Sequence, residues 1–170
     1  MGQVDASFYL AAGAVVTGEV SLGARSSVWH NAVLRGDIAP IEVGERTNIQ
    51  DCAVLHGSTG FPVRVGDGVT IGHGAIVHGC TVGSNTLVGM GAIVLDGASV
   101  GSDCIVGAGA LVTQGMVIPD GSVAYGSPAR IVRPATEEDR SANRANAEAY
   151  VRFAVCAANE GDGITAACSR

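Results

Sequence analysis

Three of the four histidines in the chain, His56, His73 and His78, fall between positions 56 and 78. Neutral imidazole is the commonest side-chain ligand for transition metals, so the question is whether these rings can meet at one ion. The residues around them repeat every six positions. Aliphatic anchors stand at Leu10, Val16, Leu22, Val28 and Leu34, then at Val43, Ile49 and Leu55, then at Val65, Ile71 and Val77, and from Val82 through Val88, Val94, Val100, Val106 and Val112 to Ile118. That period marks a β-solenoid, in which a short strand buries its anchor and a tight corner turns the chain onto the next face. Glycine follows many anchors, as at Gly44, Gly66, Gly72, Gly83 and Gly89, and supplies those corners on this reading.

If three hexads complete one triangular coil, residues three rungs apart lie on the same face of adjacent coils, about 4.8 Å apart. Function should then appear as columns. The spacing breaks between Leu34 and Val43, Leu55 and Val65, and Val77 and Val82. The residue after each last regular anchor is chemically distinctive: Arg35, His56 and His78. Those anchors are three rungs apart, so the three side chains stack on one outward face. His30, Asp51, His73 and Met90 each lie two places after an anchor and form a second column on a different face.

Catalytic zinc keeps three protein ligands and one open position. His56 and His78 supply two, and His73 can join them only from a neighbouring chain. Three chains around a threefold axis close such heterologous contacts, so the count predicts a homotrimer with its metal sites at the interfaces. His30, two coils from His73 with Asp51 between them, is expected to be a partner of Asp51 rather than a ligand.

Composition agrees with a solenoid: 25 glycines and 4% aromatics in 170 residues, read as one domain. The net charge of −6 argues against nucleic acid as a partner. Neither an export signal nor a membrane span is read from the sequence, which makes a cytoplasmic address the default expectation. Five scattered cysteines suggest free thiols. Cys80, close to His78, is either a further ligand or a small buried core residue, with the latter favoured.

Residues 1–122 are read as the repeat region and 123–135, with Gly126, Pro128 and Pro134, as a linker. Residues 136–158 are read as a helix opened by Thr136 and the acids Glu137, Glu138 and Asp139. Its apolar stripe is expected at Ala142, Ala145, Ala149, Phe153 and Ala157, and residues 159–170 as a frayed tail.

The runs Leu34-Arg35-Gly36-Asp37, Asn48-Ile49-Gln50-Asp51, Leu55-His56, Ile71-Gly72-His73 and Val77-His78-Gly79-Cys80 resemble the γ-class carbonic anhydrase family of hexapeptide-repeat proteins. The similarity covers roughly residues 8 to 155. It implies an all-β solenoid, a left-handed parallel β-helix with a C-terminal α-helix packed along it, and a homotrimer. It implies zinc, or iron or cobalt, on His56, His73 and His78. It further implies that Arg35 pairs with an acid across the interface, Asp51 or alternatively Asp37, and that Gln50, read as facing outward, orients the metal-bound water. Asn146 and Tyr150 resemble polar residues on the corresponding helix, where the Tyr150 hydroxyl would reach the mouth of the site.

The implied reaction is hydration of carbon dioxide to bicarbonate by water that zinc activates to a pKa of about 7. The chain departs from the best-known members, which carry glutamates where Ile38 and the Ser58–Pro62 segment stand here. The proton carrier that turnover requires is therefore left unassigned. Other classes weighed are a metal-dependent hydrolase such as an acyl-CoA thioesterase, a metal-binding assembly protein without catalysis, and a hexapeptide acyltransferase.

Overall fold

The computed structural model describes residues 8–160. They form a parallel β-solenoid of about six turns, closed by an antiparallel hairpin and followed by one helix. The six-residue period makes three faces. The first stacks Phe8–Leu10, Ser26–Val28, Asn48–Ile49, Thr70–Ile71, Leu87–Val88, Ile105–Val106 and Ser122–Gly126. The second carries the start of Val15–Leu22 and of Val33–Val43, then Val54–His56, Ile76–His78, Ile93–Val94 and Leu111–Val112. The third takes the later parts of those two long strands, then Val63–Val65, Thr81–Val82, Ser99–Val100 and Val117–Ile118. Val33–Val43 spans a corner and joins the second and third faces into one ladder.

The register matches the count. Leu34 lies beside Leu55 and Leu55 beside Val77, while Val28, Ile49, Ile71 and Val88 follow one another on the first face. The anchors Val28, Leu34, Ile49, Leu55, Ile71, Val77, Val88 and Val94 are fully buried and fill the prism. Every coil repeats the same inward set, so one aliphatic core runs the length of the solenoid.

The glycines after the anchors have a different role from the one expected. They are not at left-handed φ; a Cβ on Gly72 would lie 2.7 Å from the Met90 nitrogen of the next coil, and one on Gly44 2.6 Å from the Gly66 carbonyl carbon. They are small because stacked coils approach too closely for a side chain. The left-handed corner positions are others: Asn31, Cys52, Gly74, Gly91 and Gly109 along one edge, and Gly79, Gly97 and Gly115 along another.

The segment expected as a linker is ordered β structure. Ser122–Gly126 continues the first face in parallel with Ile105–Val106 and pairs antiparallel with Ala129–Pro134 around the cis Ser127–Pro128 bond. Proline and glycine here mark a hairpin turn rather than a break in the fold.

The helix Glu137–Glu160 runs back along the first face. Its start is a capping box: the Thr136 hydroxyl accepts from the Asp139 N–H, and the Asp139 carboxylate accepts from the Thr136 N–H. The buried stripe is Asn143, Ala147, Val151 and Ala154, whereas Ala142, Ala145 and Phe153 are exposed. The helix carries small apolar residues on more than one side, and the side it buries is the one bearing Ala147, Val151 and Ala154. Asn143 is 5% exposed, and its amide donates to the carbonyls of Asn85 and Cys104. A polar residue thus occupies the facing position and satisfies carbonyls of the solenoid corner. Residues 161–170, most of the expected tail, lie outside the described residues.

No helix among the described residues is long and apolar enough to cross a membrane. Among the described residues Cys52, Cys80 and Cys104 are free thiols, as expected, whereas Cys156 is disulfide-bonded, contrary to the expectation.

Candidate metal centre

The second face brings Arg35, His56 and His78 into register on successive coils. They alternate with the buried anchors and therefore point outward. The imidazole rings of His56 and His78 lie with centroids 5.1 Å apart, and His56 Nδ1 faces His78 Nε2 at 3.0 Å. The outer nitrogens are held by carboxylates. His56 Nε2 lies 3.0 Å from Asp37 Oδ1, and His78 Nδ1 lies 2.5 Å from Asp96 Oδ1.

That arrangement has a direct chemical consequence. If each outer nitrogen donates its N–H to its carboxylate, the two inner nitrogens both present lone pairs. Two lone pairs at 3.0 Å repel unless a cation lies between them. Two nitrogens on one tetrahedral zinc stand about 3.3 Å apart, so the pair fits two ligands of a single ion.

Arg35 donates to Asp37 within the chain. Burial alone would raise the Asp37 carboxyl; the hydrogen bonds from Arg35 and His56, with the Arg35 charge, outweigh it and hold the group below the usual carboxylate range. Asp96 is held low chiefly by the His78 hydrogen bond, against an opposing effect of burial and with help from Ser58. Both remain anionic at neutral pH and favour a cation at the rings.

The third histidine stands elsewhere. His73 lies on the corner after the first face, where its Nδ1 is 2.7 Å from Asp51 Oδ2, and the other Asp51 oxygen is 3.1 Å from His30 Nδ1. The expected column of His30, Asp51 and His73 is thus joined through one carboxylate, which is hydrogen-bonded to His30 and in ion-pair contact with His73. With Nδ1 turned to Asp51, Nε2 is the His73 ring nitrogen left for a ligand, on a side chain that is 45% exposed. Among the described residues of one chain, no group of three His, Cys, Asp or Glu is gathered to hold an ion. Arg35 and Asp51 lie on different faces and do not pair within the chain.

Gln50 sits beside this column and is only 5% exposed. Strand alternation points it out of the core, yet its Nε2 donates to Asn48 Oδ1 and its Oε1 accepts from the His73 N–H. One Nε2 hydrogen remains for a ligand. Tyr150 packs edge-on against Trp29 and Phe153, each with centroids 5.5 Å away. Burial, and then the negative charge of Asp51, push its phenol up, so it stays protonated. Asn146 donates to Thr70 Oγ1 and serves to dock the helix. Cys80 points into the core, and burial drives its thiol up to about 12, which removes it as a thiolate ligand at neutral pH.

Asp96 and Ser58 escaped the sequence reading. Extending the His78 column by one coil reaches Leu95, and Asp96 stands one residue farther, off the column, so the count did not single it out. The link from Ser58 could not be counted, because that residue stands in an insertion.

The comparisons with known proteins agree with this architecture. The bacterial transferase hexapeptide repeat, six repeats long, matches residues 79–114. The chain is 56% identical over 144 residues to a Methanocaldococcus jannaschii protein named "Probable carbonic anhydrase", covering 85% of this chain and 91% of that one. It is 47% identical to the carbonic anhydrase of Geobacillus kaustophilus, over 81% of this chain and 75% of the other. The solved structure of a hexapeptide transferase family protein from Anaplasma phagocytophilum superimposes with a TM-score of 0.86 at 40% identity, covering 89% of this chain and 90% of that one. The fold defines a hexapeptide-repeat β-solenoid with two histidines paired on one outward face. The chain belongs to the γ-class carbonic anhydrase-like family of these proteins.

Proposed function

We propose that the protein is a zinc-dependent carbonic anhydrase that interconverts carbon dioxide and bicarbonate at interfaces of a homotrimer. One observation carries the reading: each of the three histidines has one ring nitrogen against a carboxylate, Asp37, Asp51 or Asp96, which leaves the other nitrogen to face an ion. That is how metal-binding histidines are ordinarily oriented. His56 and His78 of one chain and His73 of a neighbour would hold the ion. Zinc there supplies the Lewis acidity that makes hydroxide available at neutral pH.

The chain's own residues do the rest. Gln50, anchored to Asn48 and the His73 backbone, offers its free amide hydrogen to the nucleophile. Arg35, neutralised in part by Asp37, balances the three carboxylates and meets Asp51 across the interface, fixing register. The Tyr150 hydroxyl stays protonated near Asp51 and can donate to bicarbonate. Iron or cobalt suits the same nitrogen donors.

The relation to a transferase-named structure favours one alternative, acyl transfer or thioester hydrolysis at the same site. The test is purified protein with its metal measured, assayed in parallel for carbon dioxide hydration and acyl-CoA hydrolysis. About one ion per chain is expected, with hydration prevailing. His56→Ala, His73→Ala and His78→Ala should each abolish metal, and full occupancy in any of them removes that residue from the ligand set. Acyl-CoA hydrolysis without hydration would replace the reading.

A further inference from the structure

The His78 ring nitrogen that does not face His56 is bound by a carboxylate from the next coil, and that carboxylate is itself fixed from a second direction. Asp96 Oδ1 accepts from His78 Nδ1 at 2.5 Å, while Asp96 Oδ2 accepts from the Ser58 hydroxyl at 2.9 Å. Ser58 lies in the 57–62 excursion that separates the anchors Leu55 and Val65, two residues after His56. The excursion closes on itself, with the backbones of Ser58 and Phe61 exchanging hydrogen bonds. Phe61 then rests over the corner: a Cβ on Gly79 would lie 2.9 Å from Phe61 Cβ and 2.2 Å from Asp96 Oδ1. Gly79 leaves the space that Asp96 fills. Its φ of +54° also turns the chain directly after His78.

The geometry points to Asp96, clamped by Ser58, as the positioning residue that fixes the tautomer and ring angle of His78 and presents its Nε2 to the ion. The carboxylate is 23% exposed, with one oxygen on the ring and the other on Ser58. Because Ser58 belongs to the excursion that follows His56, the clamp ties the loop beside one ligand to the orientation of the other. A catalytic role for Asp96 is not implied, since it acts through His78.

This inference rests on the proposed metal site, so the experiment separates the two. Wild type, His78→Ala, Asp96→Asn, Asp96→Ala and Ser58→Ala are stripped of metal, checked for oligomeric state by gel filtration, and titrated with zinc against a chromophoric chelator. Cobalt absorption then reports the ligand field, and ring 15N shifts of the stripped proteins report the His78 tautomer. His78→Ala should lose the ion. Asp96→Asn and Asp96→Ala should weaken zinc about 10- to 100-fold and shift His78 away from the Nδ1–H tautomer, with Ser58→Ala intermediate. Should Asp96→Ala fail to fold, the near-isosteric Asp96→Asn carries the test. Unchanged zinc affinity and tautomer in Asp96→Asn, with loss of the ion in His78→Ala, overturns the clamp and leaves the metal site standing. Full zinc retention in His78→Ala overturns both.

Discussion

At the scale of single residues, the site is a set of imidazoles whose orientation is set by carboxylates rather than by packing. His30 and His73 share Asp51, one on each oxygen, but His30 belongs to a coil farther from the proposed ion. His30→Ala should therefore leave about one zinc per chain, whereas Asp51→Ala should weaken zinc by roughly 10- to 100-fold; metal analysis of intact oligomers tests both, and loss of zinc in His30→Ala would make it a ligand. Tyr150→Phe keeps the packing on Trp29 and deletes the hydroxyl. We expect thermal stability within about 0.5 kcal/mol of wild type and a raised bicarbonate KM; an unchanged KM would leave Tyr150 as a packing residue only.

At the scale of elements, the helix start offers a clean test. Thr136→Ala removes the hydroxyl of the capping box and should cost about 1 kcal/mol in chemical denaturation. The Asp139 carboxyl is held well below the usual range by the Arg133 hydrogen bond first and then by the Thr136 backbone. A depressed folded pKa contributes stability above the unfolded value near 3.9, and that contribution is lost as pH falls through the folded value. The melting temperature of Asp139→Asn should fall less than that of wild type between about pH 4 and pH 2; parallel acid limbs would rule out the linkage. The rotated helix stripe belongs here as well. Hydrophobic periodicity located the helix but offered two sides; the buried one combines Ala147, Val151 and Ala154 with Asn143, whose hydrogen bonds to two solenoid carbonyls are not encoded by hydrophobicity.

At the scale of the whole molecule, the solenoid is one continuous aliphatic column, and the proposed function needs more than one copy of it. Leu55→Ala opens a void in a fully buried position directly under His56 and should cost about 2–5 kcal/mol in denaturant unfolding, lowering metal content only where the fold is lost. His73 stands on a different face from His56 and His78. Metal-free His73→Ala and His56→Ala chains, refolded together with zinc, should therefore recover some complete sites at mixed interfaces. Zinc per trimer after gel filtration is the measurement, and none recovered in demonstrably mixed trimers would require all ligands to come from one chain.

The amino-acid sequence by itself determined the solenoid, its three faces and the two columns, because each coil of a repeat protein contacts only its neighbours and its register can be counted along the chain. Arg35 over His56 over His78, and His30, Asp51 and His73 in a separate column, follow from that one-dimensional rule. Only the tertiary structure decided what the count could not carry: the Asp96–Ser58 clamp, the burial of Gln50, the closure of 122–134 into a hairpin, and the reason for the glycines after the anchors. Each depends on how an insertion folds back, how a side chain spends its hydrogen bonds, or how closely two backbones approach. These are distances between chain segments that no periodicity records.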